Sequence, residues 1–134
     1  WLKSIESVFP YLDIFLPSIE EARMISARKE PSEIASFFLE KGVKVVALKM
    51  GKDGSYLKTE KEEYSFPPYS VNVVDATGAG DAYVAGFLAG LVRKWDWKRI
   101  GQLANATGAL CTTGIGASAG IKNWEETLRF ANLS

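Results

Sequence analysis

The sequence predicts an α/β protein whose sheet is mostly parallel and covered by helices on both faces, in three layers. Segments with strand character alternate with amphipathic helical segments, which is the order typical of parallel α/β sheets. Residues 43–50, VKVVALKM, are apolar almost throughout, as expected of a strand buried on both faces. No internal repeat or low-complexity linker interrupts the 134 residues. We therefore expect a single domain over residues 1–134.

The elements follow from helix and turn signals along the chain. Pro10 ends the first helix, and Ser18 with Glu21 three residues later predicts a capping box at the start of another. Pro31 and Gly42 mark the beginning and end of the helix after that. In chain order we expect a helix, a strand, two helices, a strand, a hairpin, a strand and three helices, at residues 2–9, 12–16, 17–25, 30–42, 43–50, 55–66, 71–75, 81–94, 97–112 and 124–131.

Composition excludes several classes of protein. The 16 basic and 16 acidic residues cancel, so net charge gives no support for binding nucleic acid or an anionic membrane. The apolar stretch at residues 82–92 is too short to span a bilayer. The single cysteine, Cys111, cannot form an internal disulfide, which fits a reducing compartment, so we expect a cytoplasmic protein. We expect the Cys111 side chain to be a small buried apolar group. Because the chain has no histidine, a general base must be a carboxylate, a lysine or a tyrosine.

Residues 73–87, VVDATGAGDAYVAGF, place a glycine-rich turn between a predicted strand at 71–75 and a helix. Unpaired backbone N–H groups and the positive end of the helix dipole meet at such a point and form an anion site. The residues of the turn, Gly78, Ala79 and Gly80, carry almost no side chain, so a phosphate can approach their backbone. The alternative is a tight turn in which Asp81 only stabilises the helix dipole.

Two common phosphate motifs do not fit. The turn is not a P-loop, because no Gly-Lys-Ser/Thr closes it, and Tyr83 stands where the dinucleotide fingerprint has its third glycine. GIGASA at residues 114–119 matches that fingerprint, but it follows a helical stretch instead of a strand.

Four segments together resemble the ribokinase-like carbohydrate kinases, the PfkB family. Residues 73–87 resemble that family's C-terminal signature, and DIFLPSIEEA at 13–22 is similar to its L-P-N-x-x-E-A stretch. VVALKMGKDGSYL at 45–57 is similar to its V-T-x-G-x-x-G strand and turn, and GALCTTGIGASAG at 108–120 lies where the family closes the adenine and monovalent-cation site. The order and spacing also agree. The resemblance implies a ribokinase-like, Rossmann-like fold and the C-terminal nucleotide-binding part of a longer ATP-dependent sugar kinase.

The resemblance also implies roles for the glycine-rich segment. Asp81 is the general base that takes the proton of the substrate hydroxyl, and the backbone N–H groups of Gly78, Ala79 and Gly80 hold the charge of the transferred phosphoryl group. With the loop at residues 114–116, the backbone oxygens of Asp75 and Thr77 bind a monovalent cation such as K⁺.

In the first half of the chain, the resemblance implies that Glu21 acts through water on the Mg²⁺ that accompanies ATP. Its alternative role is the partner of Ser18 in the capping box. The resemblance likewise implies that Lys49, Gly51 and Gly54 bind the nucleotide, with an ordinary turn as the alternative for the two glycines.

The sequence departs from the family pattern at three positions: Ala76 and Lys49 replace threonines, and Ser18 replaces an asparagine. Each departure alters a polar side chain near the phosphates or the metal. Two other functions stay open, a non-catalytic nucleotide-binding module and a vitamin-type kinase acting on a hydroxymethyl heterocycle. We also expect an exposed sheet edge and apolar surface to favour a homodimer.

Overall fold

The computed structural model describes residues 2–134, which form two compact units. The N-terminal unit contains the described residues up to Gly51 together with Ser55–Ser65. The C-terminal unit contains Lys52–Gly54 and Phe66–Ser134. The single domain expected over residues 1–134 stays a prediction.

The N-terminal unit holds the sheet and the first helices. Its elements are α1 (Leu2–Ile5), β1 (Ile14–Phe15), α2 (Ile19–Ser26), α3 (Pro31–Glu40), β2 (Val45–Lys49), β3 (Ser55–Thr59) and β4 (Glu63–Phe66, its last residue counted with the other unit). Two 3-10 helices lie at Glu6–Tyr11 and Gly51–Asp53. The C-terminal unit holds α4 (Ala79–Val92), α5 (Trp97–Cys111) and α6 (Trp124–Phe130).

The sheet has the strand order β1-β2-β3-β4, and the expected α/β class is confirmed. Its pairing is mixed instead of mostly parallel. β1 and β2 are parallel, with Ile14 opposite Val45, whereas β2 and β3 are antiparallel, with Lys49 opposite Ser55. Only residues 50–54 connect β2 to β3, and so short a connection cannot make the crossover that a parallel pair requires.

Local signals placed most helix boundaries correctly. Ser18 and Glu21 form the predicted capping box of α2, and Pro31 is the first residue of α3. The helix expected over residues 2–9 differs, because α1 ends at Ile5 and the 3-10 helix that follows contains Pro10. Proline has no N–H to donate, which disfavours a continued α-helical hydrogen-bond pattern.

Aromatic side chains fill the core of the N-terminal unit. The Phe38 ring on α3 is fully buried, with its centroid 5.3 Å from that of Phe9 and 4.9 Å from that of Phe15. Both contacts are edge-on, the geometry that aromatic quadrupoles favour. Val46 and Leu48 of β2 are completely buried in the same cluster. This packing fixes the carboxyl end of β2, where Lys49 and the following turn lie.

Helices α4 and α5 pack closely in the C-terminal unit because α4 presents glycines to α5. A Cβ added at Gly86 would lie 2.6 Å from Thr107 Oγ1, and one added at Gly90 would lie 3.0 Å from Ile100 Cγ1. Larger residues would therefore push the two helices apart. Among the described residues, no helix is both long enough and apolar enough to cross a membrane.

The strand predicted at residues 71–75 is wrong. The backbone N–H groups of Val74 and Asp75 both donate to the Thr112 carbonyl, at 2.8 Å and 3.1 Å, and no strand is assigned there. Val73 and Val74 are exposed. The β-branched residues suggested a strand, but the segment finds its hydrogen bonds at the carboxyl end of α5 instead of in a sheet.

Candidate functional site

The glycine-rich turn ends in a sharply bent helix start. Gly78 is the N-cap of α4, and its φ of 77° is in the left-handed region that favours glycine. A Cβ added at Gly78 would also lie 2.8 Å from the Cβ of Ala117. Both backbone conformation and close packing therefore require glycine at this position.

Three backbone N–H groups at this helix start have no hydrogen-bond partner within residues 2–134: those of Gly78, Gly80 and Asp81. The Ala79 N–H, by contrast, donates to the Ala76 carbonyl at 3.2 Å. The free donors lie at the positive end of a 14-residue helix. Such donors, together with the helix dipole, attract an anion.

Asp81 is the third residue of α4 and is exposed. Within the described part of the chain, its carboxylate makes no hydrogen bond or ion pair, so it does not cap the helix. Gly78 is the N-cap instead. The structure therefore leaves an exposed carboxylate beside unpaired N–H donors, an arrangement that can take a proton next to a bound anion.

Asp75 connects two loops through its side chain. Its Oδ1 accepts a hydrogen bond from the Thr77 N–H at 2.9 Å, and its Oδ2 accepts one from the Gly116 N–H at 2.9 Å. Hydrogen bonds from Thr77, and then from Gly116, hold the pKa of the Asp75 carboxylate below its usual range. The side chain is thus an ionised acceptor at neutral pH.

Cys111 is buried, as expected, beneath the same loops. Its Sγ lies 3.0 Å from the Ala117 carbonyl oxygen and 3.5 Å from that of Thr77. Burial, followed by the charges of Asp75 and Asp81, raises the pKa of the thiol. A buried thiol that stays protonated packs against its neighbours and donates a weak hydrogen bond, but it does not act as a nucleophile.

In the N-terminal unit, Glu21 and Lys49 are brought close to Ser18. The Ser18 N–H donates to Glu21 Oε2 at 2.9 Å, and the Lys49 N–H donates to the Pro17 carbonyl at 3.0 Å. The backbone and then the hydroxyl of Ser18 lower the pKa of the Glu21 carboxylate, and the Lys49 charge lowers it further. Glu21 remains exposed.

The two glycines of the predicted nucleotide turn differ. Gly54 has a φ of 86°, and a Cβ added there would lie 2.0 Å from the Phe66 carbonyl oxygen, so backbone packing explains it. Gly51 has a φ of 55° with open space around the Cβ position. The open side of the turn is therefore at Gly51.

The donor set suits a Mg²⁺ ion carried by phosphates better than a resident metal. Among residues 2–134, no group of three or more His, Cys, Asp or Glu side chains could hold a metal. Mg²⁺ often keeps several waters and binds one or two carboxylates plus substrate phosphates. The exposed Glu21 carboxylate, with one oxygen held by Ser18, fits that role.

Sequence reasoning missed the contact between Asp75 and Gly116. These residues are 41 positions apart in the chain. No local sequence pattern predicts that a carboxylate accepts a hydrogen bond from so distant a backbone N–H. The only available signal was the resemblance, which placed residues 114–116 near the cation site.

Comparisons with known proteins bear on the family and the fold of the chain. A family model described as pfkB family carbohydrate kinase matches residues 1–131. An uncharacterized sugar kinase of Archaeoglobus fulgidus is 36% identical over 120 residues, which are 90% of this chain and 48% of that protein. The 2-dehydro-3-deoxygluconokinase of Bacillus subtilis is 36% identical over 119 residues, 88% of this chain and 37% of that protein.

Solved structures show the same fold. A protein described as a ribokinase II from E. coli, in complex with ATP and Mg²⁺, superposes with a TM-score of 0.87 at 33% identity. The match covers 97% of this chain and 42% of that one. The ribokinase-like fold expected from the sequence is confirmed. The chain spans less than half the length of each of these three relatives.

Proposed function

The chain belongs to the pfkB family of carbohydrate kinases, and we propose that it is the nucleotide-binding part of an ATP-dependent kinase that phosphorylates a sugar hydroxyl. One observation carries this proposal. Three unpaired N–H groups lie at the start of α4, in the same turn as the exposed carboxylate of Asp81. Phosphoryl transfer depends mainly on positioning and on stabilising negative charge, and these groups supply both.

In the proposed reaction, Asp81 is the general base. Its carboxylate accepts the proton of the attacking sugar hydroxyl as the γ-phosphoryl group is transferred. The anion hole is the backbone of Gly78 and Gly80; the Ala79 N–H, which the resemblance also assigned to it, donates to the Ala76 carbonyl instead. The free N–H groups of the two glycines support this role, and the Asp81 N–H is a further donor at the same turn.

The nucleotide is held by further residues in this proposal. Lys49 provides a positive charge for the phosphates, and the turn at Gly51 and Gly54 provides a surface against which the nucleotide lies. Mg²⁺, when bound with ATP, neutralises phosphate charge, and Glu21 orients its water ligands. The backbone oxygens of Asp75 and Thr77 bind K⁺.

The relatives support ATP and Mg²⁺ more strongly than any one sugar. The E. coli protein is described as a ribokinase in complex with ATP and Mg²⁺. The B. subtilis relative is named as a 2-dehydro-3-deoxygluconokinase, so the two names point to different sugars. Since this chain spans less than half of each relative, we expect the isolated 134 residues to turn over poorly. The residues that read the acceptor and exclude water belong to the rest of the kinase.

A coupled assay of ADP release tests the proposal on the complete protein. A panel of sugars and of heterocycles bearing a hydroxymethyl group is supplied with ATP and Mg²⁺. Release that depends on a sugar supports the proposal, and release with only a heterocycle replaces it with a vitamin-type kinase. Tight nucleotide binding without any turnover indicates a non-catalytic module.

A further inference from the structure

The loop that carries the anion hole is tied to a second loop through the Asp75 side chain. One carboxylate oxygen accepts from the Thr77 N–H and the other from the Gly116 N–H, both at 2.9 Å. The first bond closes the turn that leads into Gly78. The second connects that turn to the loop at residues 115–117, through Gly116, which lies 41 positions after Asp75.

Two packing contacts join the same loops. The buried Cys111 Sγ lies 3.0 Å from the Ala117 carbonyl and 3.5 Å from the Thr77 carbonyl, so its single hydrogen has an acceptor on either side. A Cβ at Gly78 would lie 2.8 Å from Ala117 Cβ, so the two backbones approach closely. Among the groups that connect the two loops, the charged carboxylate of Asp75 is the strongest acceptor, because hydrogen bonds to ionised groups are stronger than those between neutral groups.

The free donors of the anion hole need such support. The N–H groups of Gly78 and Gly80 make no hydrogen bond to the rest of the described chain, so their directions depend on how the turn is held. Preorganised donors stabilise developing charge only when their directions are fixed before the reaction.

We propose that Asp75 is a positioning residue whose side chain holds the anion-hole loop against residues 115–117 and so aims the N–H groups at the transferred phosphoryl group. This inference rests on the proposed function and gives the side chain a role distinct from cation binding by the backbone. In this role Asp75 acts through the loop and not directly on the reacting atoms.

The variant Asp75→Asn in the complete protein tests this role. The amide oxygen accepts one N–H, but the amide NH₂ group faces the other donor, so one of the two bonds is lost. We expect kcat to fall roughly 10- to 100-fold, the effect of a lost hydrogen bond to a charged group, with a smaller change in KM for ATP. Amide hydrogen exchange at residues 76–81 and 115–117 should rise by about 10-fold or more.

Asp96→Asn is the matched control. Asp96 also accepts a backbone N–H, from Arg99 at 2.9 Å, but it does so as the N-cap of α5. Asparagine caps a helix about as well as aspartate. This control should therefore change neither kcat nor exchange in the two loops.

A second variant tests the partner of the bond. Gly116 has a φ of 86° and open space around its Cβ position, so Gly116→Ala strains the backbone without a clash and shifts the N–H. If both variants break the same bond, the double variant should lose less kcat than the product of the single losses. Fully multiplicative losses contradict the proposed connection.

The remaining outcomes separate this inference from its rivals. A lower melting temperature with unchanged kcat and unchanged loop exchange overturns it in favour of a purely structural Asp75. Recovery of Asp75→Asn at high K⁺ overturns it in favour of cation binding. If wild type releases no ADP with any acceptor, the proposed function fails, while the exchange measurements still decide whether Asp75 holds the loop.

Discussion

Ser18 and Glu21 bond to each other in both directions at the start of α2. The Ser18 N–H donates to Glu21 Oε2 at 2.9 Å, and the Glu21 N–H donates to the Ser18 hydroxyl at 3.2 Å. The carboxylate proposed to act on Mg²⁺ therefore also belongs to a capping box. The two roles predict different effects of substitution and are separable.

Replacing Glu21 with glutamine should raise the Mg²⁺ concentration that half-maximal ADP release requires. The amide oxygen still accepts from the Ser18 N–H, so the cap and the fold persist, but the negative charge that orients the water ligands of Mg²⁺ is lost. The measurement is a Mg²⁺ titration of turnover, together with a thermal midpoint.

Ser18→Ala provides the comparison. It removes the hydroxyl acceptor and should cost about 1 kcal/mol of stability, while the Mg²⁺ titration remains that of wild type. If Glu21→Gln loses stability but keeps the wild-type Mg²⁺ dependence, Glu21 is only a capping residue.

Stability should decline as acid titrates the carboxylates of Glu21 and Asp75. Hydrogen bonds lower the pKa of Glu21 and that of Asp75 in the folded protein. The unfolded chain then binds more protons than the folded one, so stability rises with pH in this range. The contribution is complete above the unfolded pKa values near pH 4 and is lost as pH falls through the folded values.

Urea unfolding at several pH values between about 6 and about 3 measures this effect. Glu21→Gln removes one of the groups whose pKa is lowered, so its urea midpoint should fall less steeply with acid than that of wild type. Identical slopes for the two proteins would remove Glu21 from the explanation.

Local signals were read correctly from the sequence, and distant contacts were not. The Ser18 cap and the bent glycine turn at Gly78 depend on neighbours within a few residues, which a sequence displays directly. The segment at 71–75 was misread as a strand, because its true acceptor is the carbonyl of Thr112. The bond between Asp75 and Gly116 was missed for the same reason.

The contact between α4 and α5 should be sensitive to side-chain size at Gly86. A Cβ there would lie 2.6 Å from Thr107 Oγ1 and 3.0 Å from Ala104 Cα, so Gly86→Leu should destabilise the fold by roughly 1–3 kcal/mol or more. Ala85 precedes it on the exposed side of the helix. Ala85→Leu should therefore stay within about 0.5 kcal/mol of wild type. Equal effects in urea unfolding would show that α5 does not constrain Gly86.

An apolar strip on the outer side of α4 should promote self-association of the 134-residue chain. The helix α4 is apolar on nearly all sides, so its outer side is apolar too. On that side, Leu88 is 50% exposed and Val92 is 78% exposed. Exposed apolar surface of this kind favours association. Light scattering across a concentration series should show oligomers, and Leu88→Gln with Val92→Gln should raise the monomer fraction. A wild-type chain that stays monomeric at every concentration contradicts this expectation and the predicted homodimer.

Asp81→Asn is the decisive change for the proposed chemistry. Asparagine keeps the shape of the side chain but cannot take the hydroxyl proton, so kcat in the complete protein should fall by roughly 10²–10⁴-fold. Nucleotide affinity should change little, because the free N–H groups of Gly78 and Gly80 belong to the backbone. The melting temperature should also change little, since the Asp81 carboxylate makes no hydrogen bond within residues 2–134 and Gly78 is the N-cap. If Asp81 only stabilises the dipole of α4, turnover stays within a few-fold of wild type and the deficit appears in stability instead. Measuring kcat, nucleotide affinity and thermal midpoint on this one variant decides between a base and a helix-stabilising charge.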